Sequence, residues 1–361
     1  MKTARLHAPG DLRQETLPEP EARQGDLVLR VLACGTCGTD VKVFRHGHQN
    51  ISLPRVIGHE VAGEIAEVGR GVTGWAVGDR VQVIAAIPCG TCFQCQRGFF
   101  TVCERLESIG YQYDGGFAEF MRVPAKVLAV DGVNRIPDSV DPAHAAVTEP
   151  LACVLNGQEL AGVGERDTVV VVGAGPIGCL HVRLARARGA AQVILVDVNP
   201  SRLELAARLK ADALVDASRS DPIAAVLDLT GGRGADVVIT AAAAKIAQEQ
   251  ALAMAMPRGR VSLFGGLPKD DPIIRSDSNL IHYRELTVVG AYGSAPRHNR
   301  EALELIASGS VPVADLLTHR LPLDSVADAL GIVERGEGIK VIIEPSATGA
   351  SAESASASAT R

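Results

Sequence analysis

The sequence predicts an α/β protein with a β-rich region followed by a doubly wound parallel sheet. Its 361 residues exceed the size of one ordinary domain and suit two. Between residue 25 and about residue 145, short Val-rich runs are broken by Gly and Pro, which is typical of strands and loops. From about Asp167, apolar runs alternate with helical stretches, which is typical of βαβ units. We therefore expect two domains of different construction.

These runs follow one another in a definite order. The first region contains DLVLRVLA, GEIAEVG, DRVQVI, FAEFMRVPA and KVLAV, and EPLACVLNGQELAGV follows as a connecting helix. The second contains TVVVV, PIGCLHVRLARARG, QVILVDV, PSRLELAARLKA, ADVVITAA and GRVSLFGG. After Val289, two helices and two strands ending in IKVIIEP are expected to return to the first domain. The expected domains are 1–148 and 149–289 with a returning segment 290–345, and the low-complexity residues 346–361 are expected to be a disordered tail.

Composition argues against several classes of partner. Asp and Glu total 42 against 36 Lys and Arg, so there is no basic excess to neutralise a nucleic-acid backbone. No run of about 18 apolar residues occurs, and MKTARLHAPGDLRQE lacks an apolar signal core, so a soluble cytoplasmic protein without membrane contact is expected. Thiols stay reduced in that compartment, so the eight cysteines indicate metal binding or catalysis before disulfides.

Four of these cysteines lie close together in CGTCFQCQRGFFTVC. Cys89, Cys92, Cys95 and Cys103 follow the spacing C-x2-C-x2-C-x7-C. Four thiolates can surround one tetrahedral Zn²⁺ and leave no position for a substrate, so the pattern predicts a structural zinc site. An iron–sulfur cluster and a pair of disulfides are the alternatives, and the cytosolic context counts against both.

A second set of metal ligands is scattered along the chain. Its members are Cys37 in CGTCGTD, His59 and Glu60 in GHE, and Glu149 in TEPLAC. A catalytic zinc needs three or four N, S or O ligands and one position open to water or substrate. Each residue alone has a simpler interpretation: Cys34 and Cys37 as core residues or a thioredoxin-like pair, and His59 as a packed histidine. Together with the surrounding pattern, the set favours a catalytic zinc.

A glycine-rich turn marks the start of the second region. The strand TVVVV leads into a G-x-G-x-x-G motif that opens a helix and contains Gly173, Gly175, Pro176, Ile177 and Gly178. Its glycines let backbone N–H groups and the helix N-terminus meet a pyrophosphate. Asp197, about twenty residues later, is expected to bind the adenosine ribose and to repel a 2′-phosphate, so NAD is favoured over NADP. Arg202 could face a phosphate, although a solvated or adenine-stacking arginine is the simpler interpretation.

One longer stretch connects these motifs to a known family. GHEVAGEIAEVGRGVTGWAVGDRV, which follows CGTCGTD and precedes the four-cysteine loop, resembles the signature of zinc-containing alcohol dehydrogenases of the medium-chain dehydrogenase/reductase superfamily. The resemblance extends through IKVIIEP and is greatest to sorbitol (L-iditol) and related polyol dehydrogenases, which carry an EPL motif like the one that starts at Glu149. It implies a GroES-like catalytic domain, a Rossmann NAD-binding domain and two zincs per chain, one catalytic and one structural.

The same resemblance implies roles for the scattered ligands. Cys37, His59 and Glu149 look like the catalytic zinc set, with Glu149 bound either directly or through water. Glu60 is able to approach the metal when ligands exchange. Asp40 looks like the carboxylate that orients a histidine ligand.

The proton relay and the substrate pocket depart from the family pattern. The Thr39 hydroxyl resembles the first group of the relay, but Lys42 stands where many relatives have a histidine, and His46 and His48 follow further on. An ordinary lysine, with a pKa of about 10.4, is a poor proton shuttle near neutrality. Animal sorbitol dehydrogenases bind polyol with an Arg-Tyr pair near the place where this chain reads GAYGSAPRHN. Gly293 and Ser294 replace that pair here, so Arg297 or His298 would have to supply the missing contacts to the polyol.

Four functions are compatible with these features. The leading hypothesis is zinc-dependent hydride transfer between NAD and a secondary alcohol of a polyol, cyclitol or sugar phosphate. A threonine 3-dehydrogenase-like enzyme would share CGTD and GHE, although EPLAC counts against it. A zinc-stabilised NAD-binding protein without catalysis would be expected to lack Cys37 or His59, and a thiol redox protein using Cys34 and Cys37 would stay active without zinc. Cys34 and Cys153 are interpreted as packing residues, and the resemblance implies a homotetramer or homodimer.

Overall fold

The computed structural model describes residues 1–346 and divides the chain into two compact units. The first unit contains Met1–Ala152, Ser294–Gly309 and the described residues from Val313 onward, and the second contains Cys153–Gly293 and Ser310–Pro312. The tail expected at 346–361 lies outside the described residues, apart from Ser346. Over residues 1–346, none of the helices is both long enough and apolar enough to cross a membrane.

Strands of the first unit come from both ends of the chain. The N-terminal strands are β1 (Lys2–Ala8), β2 (Asp11–Thr16), β3 (Leu27–Gly35), β4 (Arg55–Val56), β5 (Glu60–Val68), β6 (Arg80–Val83), β7 (Ala86–Ile87), β8 (Glu107–Ser108), β9 (Phe120–Val123) and β10 (Val133–Arg135). The second unit contains β11 (Thr168–Val172), β12 (Gln192–Asp197), β13 (Ala213–Asp216), β14 (Ala235–Thr240), β15 (Ala255–Leu263) and β16 (Thr287–Gly290). The first unit is completed by β17 (Leu317–Pro322) and β18 (Lys340–Glu344).

Helices connect these strands, and several begin at an Asp or Asn. In chain order they are α1 (Gly38–His46), α2 (Phe93–Gln96), α3 (Ala125–Leu128), α4 (Pro142–Ala146), α5 (Thr148–Leu160), α6 (Pro176–Ala187), α7 (Pro200–Ala206), α8 (Pro222–Leu229), α9 (Lys245–Met254), α10 (Ser278–Tyr283), α11 (Pro296–Ala307) and α12 (Val326–Arg335). The side chains of Asp141, Asn199, Asp221 and Asp277 each accept a backbone N–H from the first turn of α4, α7, α8 and α10, which satisfies donors that have no partner within the helix.

A seven-stranded sheet forms the centre of the first unit. Its order is β10-β6-β5-β3-β18-β17, and β9 also pairs with β3. The side chains of β3 point alternately to the two faces of the sheet, and Leu27, Leu29 and Val31 on one face are fully buried in the core. The last strand, β18, lies antiparallel to β3 with Ile342 opposite Gly35. The C-terminal strand therefore lies beside the segment that carries the first metal motif.

The second unit is a six-stranded parallel sheet. Its order is β13-β12-β11-β14-β15-β16, so β11 lies between β12 and β14 and the strand order reverses beside it. Val169, Val170 and Val171 are fully buried, as expected for a parallel strand covered on both faces. Ligands of such sheets bind at the carboxyl ends of the strands at this reversal, where β11 runs into the glycine-rich turn. The α/β class predicted from the sequence is confirmed.

Candidate metal and dinucleotide sites

The four clustered cysteines converge on one point. Their sulfur atoms all lie within 4.8 Å of one another, with 4.0 Å between Cys89 and Cys95 and 3.8 Å between Cys92 and Cys103. A tetrahedron with Zn–S bonds of about 2.3 Å has edges of about 3.8 Å, so these separations fit zinc. A disulfide requires about 2.05 Å between sulfurs, and all four thiols are free, so the disulfide alternative is wrong.

Backbone and side-chain donors surround these sulfurs. The N–H of Cys92 donates to Cys89 Sγ at 3.3 Å, the N–H of Cys89 donates to Cys103 Sγ at 3.2 Å, and the Arg105 guanidinium donates to Cys89 Sγ at 3.4 Å. Hydrogen bonds from Thr91, Cys92 and Arg105 lower the pKa of the Cys89 thiol to about 5. Burial raises the pKa of Cys95 to about 12, so this thiol needs a bound cation to stay ionised at neutral pH.

A second cluster joins Cys37, His59 and Glu60. One ligand atom from each lies within 4.8 Å of the others. Cys37 is the N-cap of α1, with an extended backbone, and Glu60 opens β5 directly after His59. Glu60 is fully buried, and its Oε1 has no hydrogen-bond donor. Sulfur, imidazole and carboxylate donors of this kind suit Zn²⁺, and three protein ligands leave a fourth position open.

Asp40 links two members of this cluster. Its Oδ2 accepts the backbone N–H of Cys37 at 3.0 Å, and its Oδ1 lies 3.2 Å from Nδ1 of His59. Burial lowers the pKa of His59, but the Asp40 carboxylate and the neighbouring Cys37 raise it by more, so the pKa lies well above its ordinary value. A carboxylate behind an imidazole orients the ring and increases its strength as a ligand.

Sequence reasoning missed one residue of this cluster, Lys340 at the start of β18. Its ammonium pairs with Oε2 of Glu60 and donates to the carbonyl oxygen of Thr36 at 2.8 Å. Burial lowers the pKa of Lys340, but Glu60, Cys37 and Glu149 together raise it by more, so the pKa lies above its ordinary value. Burial in turn raises the pKa of Glu60 to about 7, against the effect of Lys340 and with that of Glu149. The sequence gives little indication of this contact, because Lys340 belongs to a strand that is far from Glu60 along the chain.

Other predicted residues of this site lie around the cluster. Glu149 lies in the first turn of α5 and is 9% exposed. Its carboxylate raises the pKa of Glu60 and that of Lys340. It does not belong to the cluster of Cys37, His59 and Glu60, whose ligand atoms lie within 4.8 Å of one another. Thr39 is half-buried in the first turn of α1.

The three candidates for the end of the relay differ in exposure. Lys42 and His46 are exposed on α1. His48 is half-buried, stacks edge-on against Tyr111 with ring centroids 4.9 Å apart, and accepts the backbone N–H of Asn50 through Nδ1 at 3.2 Å. Its imidazole therefore stabilises the loop after α1.

Cys34, outside both clusters, has the environment of a packed thiol. It is fully buried in β3, and burial raises its pKa well above the ordinary value. A thiol-disulfide exchange centre needs an accessible thiolate, which this environment opposes. Cys153 also lies outside the two groups of candidate ligands found among the described residues.

The glycine-rich turn joins β11 to α6. Gly173 has φ of 115°, a conformation that favours glycine, and Gly175 is the N-cap of α6. A Cβ at Gly178 would overlap the carbonyl oxygen of Gly173, so only glycine allows this close approach. Pro176, which has no N–H group, and Ile177 lie in the first turn of the helix, and the residues after Pro176 supply the backbone donors at its N-terminus.

Asp197 ends β12 beside this turn. Its Oδ2 accepts the N–H of Ala174 at 2.6 Å and its Oδ1 accepts the N–H of Asn199 at 2.7 Å. The carboxylate is 7% exposed. Arg202 lies in the first turn of α7, half-buried, and its backbone N–H donates to Oδ1 of Asn199 at 3.4 Å.

In the loop that stands in place of the Arg-Tyr pair, two of the side chains make hydrogen bonds within the protein. His298 is 1% exposed, and its Nδ1 accepts the N–H of Ala295 at 2.9 Å, which caps the start of α11. Ser294 is buried, and its hydroxyl accepts a hydrogen bond from Asn299 at 3.2 Å. Of the two residues expected to compensate, only Arg297 is exposed.

Comparison with known families matches both units. The alcohol dehydrogenase GroES-like domain matches residues 23–133, and the zinc-binding dehydrogenase family matches residues 176–308. The predicted GroES-like and Rossmann domains are therefore confirmed as classes of fold.

Similarity to individual proteins extends over nearly the whole length. The chain is 36% identical to L-threonine 3-dehydrogenase of Pyrococcus abyssi over 90% of this chain and 92% of that one. It is 32% identical to sorbitol dehydrogenase of Halalkalibacterium halodurans over 94% and 97% of the two chains. A zinc-binding dehydrogenase structure from Sinorhizobium meliloti 1021 with bound NADP superposes with a TM-score of 0.88, at 35% identity over 95% of this chain and 99% of that one.

These matches agree with the geometry of the sites. The four-cysteine cluster is a structural zinc site, Cys37, His59 and Glu60 form the catalytic zinc site, and the cofactor is NAD(P). The chain belongs to the zinc-containing alcohol dehydrogenases of the medium-chain dehydrogenase/reductase superfamily.

Proposed function

We propose that the enzyme transfers a hydride between NAD and a secondary alcohol of a polyol, cyclitol or sugar phosphate. The observation that carries this proposal is the convergence of Cys37, His59 and Glu60 with one coordination position open. Bound zinc supplies a Lewis acid that stabilises an alkoxide in oxidation and polarises a carbonyl in reduction. The cofactor supplies the hydride acceptor.

The residues around the cluster have separate tasks in this proposal. Asp40 orients His59, to which it lies within 3.2 Å. The Thr39 hydroxyl, in the first turn of α1, takes the proton of the substrate alcohol and passes it to the ribose or to water. Glu149 is proposed to occupy the open position, directly or through a water molecule, until a substrate replaces it, and its burial and its electrostatic effect on Glu60 support this role.

NAD is the proposed cofactor in preference to NADP. The carboxylate of Asp197 is held in place by two backbone N–H groups, so it cannot easily turn away from an added phosphate. A 2′-phosphate beside a fixed carboxylate would meet charge repulsion, whereas ribose hydroxyls would donate hydrogen bonds. Arg202 is proposed to contact the adenosine end of the cofactor.

A threonine 3-dehydrogenase is the second candidate, because a relative of that name is 36% identical over most of the chain. Both candidates use the same zinc and cofactor, and they differ in the substrate. L-Threonine carries an ammonium and a carboxylate beside its hydroxyl, whereas polyols and cyclitols carry only hydroxyls. In the loop around residues 294–298, Ser294 and His298 make hydrogen bonds within the protein, and the exposed cation of Arg297 suits the carboxylate of L-threonine as well as a sugar phosphate.

The assembly is proposed to be a homotetramer or a homodimer through the second unit. Strand β16 is the edge of the six-stranded sheet, and Val288 on it and Tyr292 after it are 39% and 69% exposed. An edge strand with exposed apolar side chains is suited to pairing with a second copy. Sedimentation velocity of the purified protein, with Val288→Lys as the variant, tests this arrangement: a single chain in both samples would contradict it.

Steady-state kinetics with a substrate panel test the reaction. NAD reduction would be followed with sorbitol, other polyols, cyclitols, sugar phosphates and L-threonine, on wild type and on Thr39→Val, which keeps the shape of Thr39 and removes its hydroxyl. The proposal predicts the highest kcat/KM on a polyhydroxylated substrate, and a loss of about 10²-fold or more in kcat for the variant. The highest value on L-threonine would establish the second candidate, and no turnover on any substrate would contradict both.

A further inference from the structure

A chain of buried side-chain amides joins three elements of the first unit. Gln82 on β6 is fully buried, Asn299 on α11 is 1% exposed and Asn134 on β10 is 6% exposed. The Nδ2 of Asn134 donates to Oε1 of Gln82 at 2.8 Å, and the Nε2 of Gln82 donates to Oδ1 of Asn299 at 3.1 Å. Burying an amide costs free energy unless its donors and acceptors find partners, so the ends of this chain need partners too.

Backbone carbonyls determine which way each amide is turned. Asn299 must turn its Nδ2 toward the carbonyl oxygen of Ala295, 3.3 Å away, because a carbonyl oxygen can only accept. For the same reason Gln82 turns its Nε2 toward the carbonyl oxygen of Val83, at 2.8 Å. The Oε1 of Gln82 therefore needs a donor, and the Nδ2 of Asn134 supplies it. The other amide atom of Asn134, Oδ1, accepts no hydrogen bond within residues 1–346, so the chain ends in an acceptor of fixed orientation.

Asn134 lines a cleft between β10 and α11, two elements of the same unit. The volume of the cleft is about 250 Å³. Cavities for drug-sized ligands measure about 300–1,000 Å³, so a ligand of this cleft is small. Its apolar wall consists of Val133, Pro137, Leu303 and Ala307, and its charged lining residues are Arg135, Arg300 and Glu304.

Two of these charged groups are free to meet a ligand. Arg300 and Glu304 lie four residues apart on α11, so they share one face of the helix. Both are exposed, and neither forms an ion pair in the part of the chain that the structure describes. Arg135 is already engaged, because it pairs with Asp79 and its guanidinium lies 4.8 Å from the centre of the Trp75 ring. The cleft thus combines one cation, one anion and one fixed neutral acceptor.

We propose that this cleft binds a free α-amino acid with an apolar side chain. The carboxylate of the ligand pairs with Arg300, and its ammonium donates to Glu304 and to Oδ1 of Asn134. Its side chain packs against Val133 and Leu303. A phosphate or a dicarboxylate would be repelled by Glu304 and could not donate to Asn134, and a polyamine would be repelled by Arg300. The cleft shares no residue with the two groups of candidate zinc ligands, so this site is additional to the catalytic one.

Two alternatives lead to different results. If Arg300 and Glu304 are only solvated charges on a surface helix, an amino acid does not bind saturably, since exposed charges contribute little. If an amino acid instead binds the catalytic zinc through its amine and carboxylate, its binding depends on Cys37 and is insensitive to the cleft.

Isothermal titration calorimetry on the whole enzyme separates these possibilities. The ligands are L-leucine, 4-methylpentanoate, which lacks the ammonium, and L-leucinamide, which lacks the carboxylate. None of the three carries a hydroxyl group, so none can serve as an alcohol substrate, and an error in the proposed substrate leaves the measurement unchanged. The variants are Arg300→Gln, Glu304→Gln and Cys37→Ser. Glu301→Gln is the matched control, because Glu301 is an exposed carboxylate of α11 that does not line the cleft.

We expect L-leucine to bind the wild type saturably with a Kd of about 1 mM or below, and the two analogues to bind about tenfold more weakly or worse. Arg300→Gln and Glu304→Gln are expected to weaken the binding of L-leucine about fivefold or more, whereas Glu301→Gln and Cys37→Ser keep the wild-type affinity. Any one of four results would overturn the proposal: no saturable binding to wild type, wild-type affinity in both Arg300→Gln and Glu304→Gln, equal affinity for 4-methylpentanoate, or loss of binding in Cys37→Ser.

Discussion

Asp197 is the residue on which the proposed preference for NAD over NADP depends. Both of its carboxylate oxygens accept backbone N–H groups, one from Ala174 and one from Asn199. These bonds fix the negative charge at the end of β12, beside the turn that receives the pyrophosphate in Rossmann folds. The proposed discrimination against NADP therefore depends on a rigidly held charge.

Asp197→Asn tests this role with little change in shape. The amide carries no charge and has one oxygen, so repulsion of a 2′-phosphate disappears and one backbone acceptor is lost. The ratio of kcat/KM for NADP to that for NAD is expected to rise about tenfold or more. Asp212→Asn is the matched control, because Asp212 also accepts a backbone N–H, that of Val193, at the opposite end of β12. An unchanged cofactor ratio in Asp197→Asn would contradict the assignment.

His181 is a buried histidine whose contribution to the free energy of unfolding depends on pH. It is fully buried in α6, where its ring meets Phe264 edge-on, and burial lowers its pKa to about 3. In the unfolded chain this histidine has an ordinary pKa of about 6.5, so below that pH the unfolded state binds a proton that the folded state does not bind. Stability linked to His181 is therefore complete above about pH 6.5 and falls as the pH drops toward 3.

This linkage predicts a stability difference between two pH values. From about pH 7.5 to about pH 5.5 the wild type is expected to lose about 1.4 kcal/mol of unfolding free energy more than His181→Gln loses. Urea unfolding of both proteins measures the difference, and zinc loss at the lower pH affects them alike. His282→Gln, which changes an exposed histidine of the same unit, is expected to keep the wild-type pH dependence. Equal losses in wild type and His181→Gln would show that the imidazole is protonated in the fold.

The turn between β11 and α6 shows how one element combines packing with binding. Gly178 is required by the fold, because a Cβ would overlap the carbonyl oxygen of Gly173. Gly175 has nothing within 4 Å of the place of a Cβ, so its lack of a side chain matters only for a ligand. The same motif therefore contains one glycine for folding and one for cofactor approach.

Two alanine variants separate these tasks. Gly178→Ala is expected to destabilise the protein by about 1–3 kcal/mol even without cofactor, because the backbone must shift to admit the methyl group. Gly175→Ala is expected to keep the thermal midpoint of the cofactor-free protein but to weaken NAD binding about tenfold or more, since its methyl group blocks the pyrophosphate. Differential scanning fluorimetry and NAD titration measure the two effects. Wild-type NAD affinity in Gly175→Ala would contradict the placement of the cofactor at this turn.

Elements whose residue pattern lies within one short stretch of the chain could be predicted from the sequence. The four-cysteine spacing predicted a cluster that the structure forms, and the run TVVVV followed by glycines predicted a strand, a turn and a helix that are present. Lys340 could not be found in this way, because its contact with Glu60 depends on the antiparallel pairing of β18 with β3. The capping of α11 by the His298 ring could not be predicted for a related reason, because it depends on a backbone geometry that residue type does not reveal.

The molecule as a whole carries two zinc sites with different tasks. The four cysteines of the structural site surround one point, which leaves no position for a substrate. Cys37, His59 and Glu60 supply three ligands and are surrounded by Asp40 and Lys340. Only the second site is expected to take part in the reaction.

The assignment of one structural and one catalytic zinc site is tested by measuring zinc content per chain together with alcohol-dependent NAD reduction. The proteins compared are wild type, Cys37→Ser and Cys153→Ser, a matched change at a cysteine outside both candidate ligand groups. This two-site assignment predicts about two zincs in wild type and in Cys153→Ser, and about one in Cys37→Ser with turnover lost. One zinc per chain in all three proteins, or turnover that survives in Cys37→Ser, would contradict it.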